Sequence, residues 1–329
     1  MNDLIFYKKS ASIHKSISKK LIEKVIKTGI SIKDLTFFIE KEIKKKVKYN
    51  KLNPMNGGIP FPPMISVNNV IAHQTYTNDT NNTNETTKEY VIKKNDLIRF
   101  DYGVHVNGFI TDSAFTYSCS NKYDDFLNVS KKITQKGISL VKVDTNIMDF
   151  GELMDEYIHS KEFEFDGKIY NCKIIKNLNG HNIKRYHIHG GQRLPCIKNN
   201  FNEKIKNNTV YAVEPFICGL NDYSFKSKHI TSYNINYDNS INKNINININ
   251  DKKLLYDIKK QYKFFDFCIR YVFNDFQFNM NQLQNLINKH YIIPESSFIV
   301  QKKDVVSHFE HNVYVNEHKN VFLTKNKYY

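Results

Sequence analysis

The chain has 329 residues, of which 40% are hydrophobic and 13% aromatic, with 21 tyrosines and 23 phenylalanines but no tryptophan. That apolar content excludes an intrinsically disordered chain and suits one large α/β core carrying an insertion. The formal charge of +15 favours contact with RNA or ribosomes, but the lysines are scattered along polar helix faces, so charge alone names no partner.

No run of about eighteen apolar residues suggests a membrane span, and Met1–Ser10 is too charged for a signal peptide. A cytoplasmic protein without membrane contact, monomeric, is the expectation. The five cysteines (Cys119, Cys172, Cys196, Cys218, Cys268) are odd in number and lack a CxxC pair, which predicts buried thiols rather than disulfides.

In chain order, Ile13, Ile17, Leu21 and Val25 recur with helical spacing and Gly29 follows as a stop. A second helix starts after Ser31, whose hydroxyl can cap the amide of Asp34; Leu35, Phe38, Ile39 and Ile43 form its apolar stripe, and Lys44–Lys46 complement the dipole at its end. Gly57, Gly58, Pro60, Pro62 and Pro63 predict an irregular turn region. Strand signals follow at Ile65–His73, Leu97–Phe100 and Phe109–Tyr117, separated by a polar tract at Asn78–Thr87 expected to be an exposed loop. Helices are expected over Lys122–Val143 and Met148–Ser160, and short strands over Phe163–Gly180 and Val210–Phe216. The tract Asn234–Asn250 is rich in Ile and Asn and is expected to be a surface insertion without a catalytic role. Lys252–His290 predicts helix, and a last strand pair covers His308–Val315 and Asn320–Thr324.

The segment RFDYGVHVNGFITDSAFTYS carries the clearest local chemistry. Asn107-Gly108 between two strand-like runs predicts a type I′ hairpin that sets residue 103 opposite Asp112. Asp101, two positions away, then points to the same face as Asp112. Two carboxylates converging in a partly buried space repel each other unless a cation neutralises them. Farther along, NLNGHNIKRYHIHGG holds His181, His187 and His189, while Glu214 in YAVEPF and Glu310 in HFEHNVYV sit among apolar strand residues. A carboxylate in that setting is seldom buried without a partner.

The ordered set Asp101, Asp112, His181, Glu214, Glu310 resembles the five-ligand pattern of the pita-bread metallopeptidases. The stretches GGIPFPPMISVNNVIAH, FDYGVHVNGFITDSAFT, NLNGHNIKRYHIHGGQRLP, VYAVEPF and HFEHNVYV resemble, within that group, the eukaryotic-type (type 2) methionine aminopeptidases. The resemblance implies an α/β (α+β) pita-bread fold, with a central antiparallel sheet flanked by helices. Residues 1–50 would be its N-terminal helices, 51–231 and 296–329 the catalytic core, and 232–295 the type 2 helical insertion with its Asn-rich loop. It implies two divalent ions (Mn²⁺, Co²⁺, Fe²⁺ or Zn²⁺), with Asp101 on one, His181 and Glu214 on the other, and Asp112 and Glu310 bridging both. The ions would generate a bridging hydroxide, Glu214 would act as general base, and His73 and His189 would hold the substrate carbonyl. Phe61, Ile188 and Phe216 would line the pocket for methionine. The implied activity is removal of the initiator methionine from nascent polypeptides, with transient ribosome contact.

Two features depart from the family pattern. After Glu214 the run is Pro215, Phe216, Ile217, Cys218, Gly219 instead of a Gly/Ser/Thr-rich one, and a further family histidine falls either on His229 or on Ser232. The competing readings are a catalytically inactive pita-bread homologue that binds RNA or protein partners, and a proline dipeptidase or aminopeptidase P.

Overall fold

The computed structural model describes residues 2–77, 90–237 and 247–329. Helix α1, Asn2–Lys20, runs into a wider π-type turn over Leu21–Val25, so Ile17 and Leu21 stay on one buried stripe. Helix α2 spans Ile32–Val47 and starts as its cap predicts: the Asp34 amide donates to Ser31 Oγ at 3.0 Å. Helix α1 packs on the long hairpin of strands Ile98–Val106 and Phe109–Tyr117, and α2 packs on α1 and on the short strands Gly57–Gly58 and Met64–Val67.

That hairpin has the expected register, Gly103 opposite Asp112 and Val106 opposite Phe109. Asn107 and Gly108 both take positive φ, 53° and 81°, as a type I′ turn requires. A Cβ on Gly108 would also lie 2.5 Å from the Tyr186 ring. Gly103 serves a different purpose: a Cβ there would stand 2.6 Å from Phe61 Cε1, so its absence lets Phe61 lie flat against the strand beside the future site.

Helices α3, Asp124–Leu140, and α4, Ile147–His159, cover the strands with Phe126, Ile133, Phe150 and Met154. The remaining named strands pair antiparallel in several ladders. Gly180–Ile183, Thr209–Val213 and His311–Val315 run side by side. Lys173–Ile174, Phe216–Cys218 and Val306–His308 form a second ladder. Val70–Ala72, Ile292–Ile299 and Phe225–Ile235 form a third. These ladders supply the expected antiparallel β-structure, and polar bonds stitch them together: Asp112 N–H donates to Asn312 Oδ1 at 2.8 Å, Glu310 N–H to Ala114 O at 3.0 Å and Ser113 Oγ to Glu310 O at 2.6 Å. The expected strand His308–Val315 is broken at Phe309–Glu310, where Glu310 bonds to the hairpin instead.

Residues 249–288 form three helices, α5 (Ile249–Tyr262), α6 (Ile269–Asp275) and α7 (Met280–Asn288), in the region Lys252–His290 expected to be helical. The chain is extended between α5 and α6, because Phe267 exchanges backbone hydrogen bonds with Tyr233 at 2.7 and 2.9 Å. A capping box between Asn279 and Gln282 then starts α7. These helices share a small core of Leu254, Ile258, Phe267, Val272, Leu283 and Leu286 with Tyr233 and Ile292 of the ladder that leads into them.

The tract at 78–87 lies outside the described residues. So does 238–246 within the Ile/Asn-rich tract, whose described ends are strand at Asn234–Ile235 and the start of α5. Among the described residues no helix is long and apolar enough to cross a membrane. All five cysteines are free thiols, four buried and Cys119 half-buried.

Candidate metal centre

A cavity of about 670 Å³ opens where the hairpin, the three ladders and the loops around 180–193 meet. All ten residues singled out from the sequence line it: Phe61, His73, Asp101, Asp112, His181, Ile188, His189, Glu214, Phe216 and Glu310. Strand alternation puts Asp101 and Asp112 there from the hairpin. His181 and Glu214 come from neighbouring strands of one ladder, Glu214 directly after Thr209–Val213. Glu310 comes from the break that the hairpin bond enforces. His187 is turned away, its ring 4.6 Å from that of Phe264. Of the two candidates for the further histidine position, Ser232 lines the cavity and His229 does not.

The donor atoms lie close together. His181 Nε2 is 3.7 Å from Asp112 Oδ2 and 3.4 Å from Glu214 Oε1. Asp112, His181 and Glu310 each offer one donor atom within 4.8 Å of the others, and so do Glu214, His308 and Glu310. Burial pushes the Asp101 carboxyl up to about 7. Burial, followed by the charges of the neighbouring carboxylates, pushes Asp112, Glu214 and Glu310 well above the usual carboxylate range. Desolvation lowers His181 to about 3, with the His189 ring 4.4 Å away, so its contacts with the carboxylates are not ion pairs.

Asp101 Oδ1, Glu310 Oε1 and His308 Nε2 are buried without a hydrogen-bond partner among the described residues. Such orphaned acceptors are costly in a finished protein interior. Two donors about 2.1 Å from one ion stand no more than about 4.2 Å apart, and the separations between His181 and its two carboxylate neighbours fall inside that limit. The residues present therefore fit divalent cations held by mixed oxygen and nitrogen donors.

Around this cluster stand groups suited to holding an organic ligand. His73, at φ 59°, packs its ring against Phe298 at 5.2 Å, and desolvation pushes it down to about 4, so it is a neutral imidazole at pH 7. Phe61, Met64, Ala72, Ile188 and Phe298 supply apolar wall. Three polar groups from the far side were not anticipated: Asp266, between α5 and α6, and Asn234 and Glu295 on the ladder strands. Burial, then Glu295, then Asp112 push Asp266 up to about 7. Also unanticipated was His308, although strand alternation from Glu310 points straight to it.

The fold recurs in solved structures. A thermophilic Arx1 superposes over 100% of this chain and 92% of its own with a TM-score of 0.76 at 13% identity, a likeness of fold alone. The sequence relatives are nearer. Methionine aminopeptidase 2 of Candida dubliniensis is 33% identical over 97% of this chain and 68% of its own length. Methionine aminopeptidase 2-2 of Neosartorya fischeri is 36% identical over 64% of this chain, and the chain spans 44% of that relative's length. The model of metallopeptidase family M24 matches residues 6–252. A buried carboxylate–imidazole cluster built for cations and a family match across most of the chain lead to one assignment: the chain belongs to metallopeptidase family M24.

Proposed function

We propose that this chain is a methionine aminopeptidase that removes the initiator methionine from nascent proteins in the cytosol. The observation that carries the reading is the convergence of Asp101, Asp112, His181, Glu214 and Glu310 on one cavity, with buried carboxylate oxygens left unpaired. Membership of a metallopeptidase family carries the requirement for divalent metal ions. Asp101 would hold one ion, His181 and Glu214 the other, and Asp112 and Glu310 both; the donor set suits Mn²⁺, Co²⁺, Fe²⁺ or Zn²⁺. When bound, the ions supply Lewis acidity and lower the pKa of the attacking water.

The rest of the chemistry belongs to the side chains. Glu214, which faces the cavity, is the group that takes a proton from the water and passes it to the leaving amine. His73 and His189 face the same cavity and can donate to the carbonyl oxygen as negative charge develops there. Phe61, Ile188 and Phe216 offer an apolar wall to an unbranched thioether side chain. Residues 232–295 form the helical insertion in this reading, and a net charge of +15 supports transient contact with ribosomes, where nascent chains emerge.

The test is release of free methionine from a Met-Ala-Ser peptide by metal-stripped protein supplied with Mn²⁺, Co²⁺, Fe²⁺ or Zn²⁺ in turn. Metal-dependent release, lost in Asp112→Asn, supports the proposal. A folded protein that releases nothing with any of the four returns the RNA- or protein-binding reading.

A further inference from the structure

His308 closes the strand Val306–His308, two residues before Glu310, and is 1% exposed. Its ring is held from two sides. Phe216 stacks on it with centroids 3.8 Å apart and planes 17° from parallel. Its backbone is clamped by Thr116, whose hydroxyl accepts from His308 N–H at 2.7 Å and donates to His308 O at 2.8 Å. So fixed, Nε2 points at Glu214 Oε2, 3.5 Å away, and Glu310 Oε2, 3.9 Å away, and makes no hydrogen bond among the described residues. Both separations lie within the span that one ion of about 2.1 Å bond length can bridge. Glu214 thus faces a different imidazole with each of its two oxygens, His181 through Oε1 and His308 through Oε2.

We propose that His308 is a metal ligand, so that Glu214, His308 and Glu310 form a second donor triad beside Asp112, His181 and Glu310. This inference rests on the reading of the cluster as a metal centre and goes beyond the five-ligand set. It gives the centre two imidazoles in place of one. Nitrogen donors shift a site along the divalent series toward Co²⁺ and Zn²⁺ and away from Mn²⁺.

The competing role is that of a positioning residue, with Nε2–H donating to Glu214. Affinity alone does not separate the two roles, since losing a group that merely orients a ligand already weakens metal binding by roughly 10–100-fold. X-ray absorption of the Co²⁺-loaded full chain does, because imidazole in the coordination shell has its own multiple-scattering signature. In the wild type both histidines contribute, and His308→Gln halves the imidazole count per cobalt at unchanged cobalt content. His181→Gln, which leaves His308 and its Phe216 support intact, keeps the other half and guards against a His308 variant that fails to fold. An imidazole signal unchanged by His308→Gln, or absent from His181→Gln, overturns the assignment. A wild-type chain that retains no cobalt overturns the metal-centre reading itself, a different result from either.

Discussion

Glu40 and Arg270 are buried together, and so are Asp112 and Glu310 beside a half-buried Glu214, yet the two clusters are completed differently. Arg270 gives Glu40 a two-pronged pair, Nη2 to Oε1 at 2.6 Å and Nη1 to Oε2 at 3.0 Å. Tyr271 adds a hydroxyl to Oε1 at 2.8 Å, and Arg270 Nε reaches Tyr76 O at 3.3 Å. Every charge there has its counterpart within the chain, and the pair ties α2 to α6. The cavity cluster has four carboxylates, two neutral imidazoles and no lysine or arginine in hydrogen-bond or ion-pair contact among the described residues. What the protein supplies at the first site it leaves to an external cation at the second. A buried charge is thus structural when its partner is covalently part of the fold, and functional when its partner must come from solution.

The comparison breaks first at Asp112. Asp112→Asn keeps the shape of the cavity but removes the carboxylate that, in the proposed site, both ions would share. We expect peptide cleavage to fall about ten-thousandfold, roughly 5 kcal/mol of transition-state stabilisation, with the metal-free protein no less stable than wild type. Kinetics and thermal melts of the same sample read both halves. A variant that keeps most of its activity removes Asp112 from the centre.

Next in size is the structural pair. Arg270→Ala leaves Glu40 buried and unpaired and should cost about 4 kcal/mol of stability while kcat/KM stays near the wild-type value. Replacing both partners at once, Arg270→Met with Glu40→Leu, should restore most of that loss. Urea melts of the three proteins decide it, and a double variant as unstable as the single one would mean that the pair is favourable in its own right.

A third effect joins the two clusters. Adding Co²⁺ or Mn²⁺ to stripped protein at about a thousandfold excess over Kd should stabilise it by about 4 kcal/mol at most, less where the unfolded chain also binds the ion. The increment should be the same in wild type and Arg270→Ala, and smaller in Asp112→Asn. A reduced increment in Arg270→Ala would show that the two clusters communicate through α6.

Much of the cavity was legible in the sequence because its rules are local. The Asn107-Gly108 turn fixes the register, the register fixes the face, and the face brings Asp101 and Asp112 together. The same alternation would have brought in His308 from Glu310, had it been applied across the strand break. Glu40 and Arg270 were not legible: they lie 230 residues apart in sequence, and neither belongs to a motif. Asp266 was hidden for another reason. It sits in a stretch expected to be helical, and the Tyr233–Phe267 backbone exchange, a tertiary contact, shows that the chain there is extended and turned toward the cavity.

Asp266 also gives the smallest and most discriminating prediction, because it shares features of both clusters. Like the cavity carboxylates it has no cationic partner among the described residues; like Glu40 it lies where residues 249–288 meet the rest of the chain. Burial and the charges of Glu295 and Asp112 raise it from an ordinary 3.8 to about 7. In metal-free protein the sign follows directly. Below pH 4 the folded and unfolded chains both hold the proton, and Asp266 contributes nothing. As pH rises, the unfolded chain releases its proton first, so stability falls through about pH 7 and levels off above it. Asp266→Asn removes that penalty. It should be neutral near pH 4 and stabilise the stripped protein by about 2 kcal/mol at pH 8, less than the full shift implies because the side chain keeps some access to solvent. Saturating metal should shrink the gain, since ions at Asp112 cancel one of the charges that oppose ionisation. Melts at the two pH values, with and without Co²⁺, give four numbers. A gain that is equal at both pH values would assign Asp266 to packing alone, and a gain untouched by metal would uncouple it from the centre.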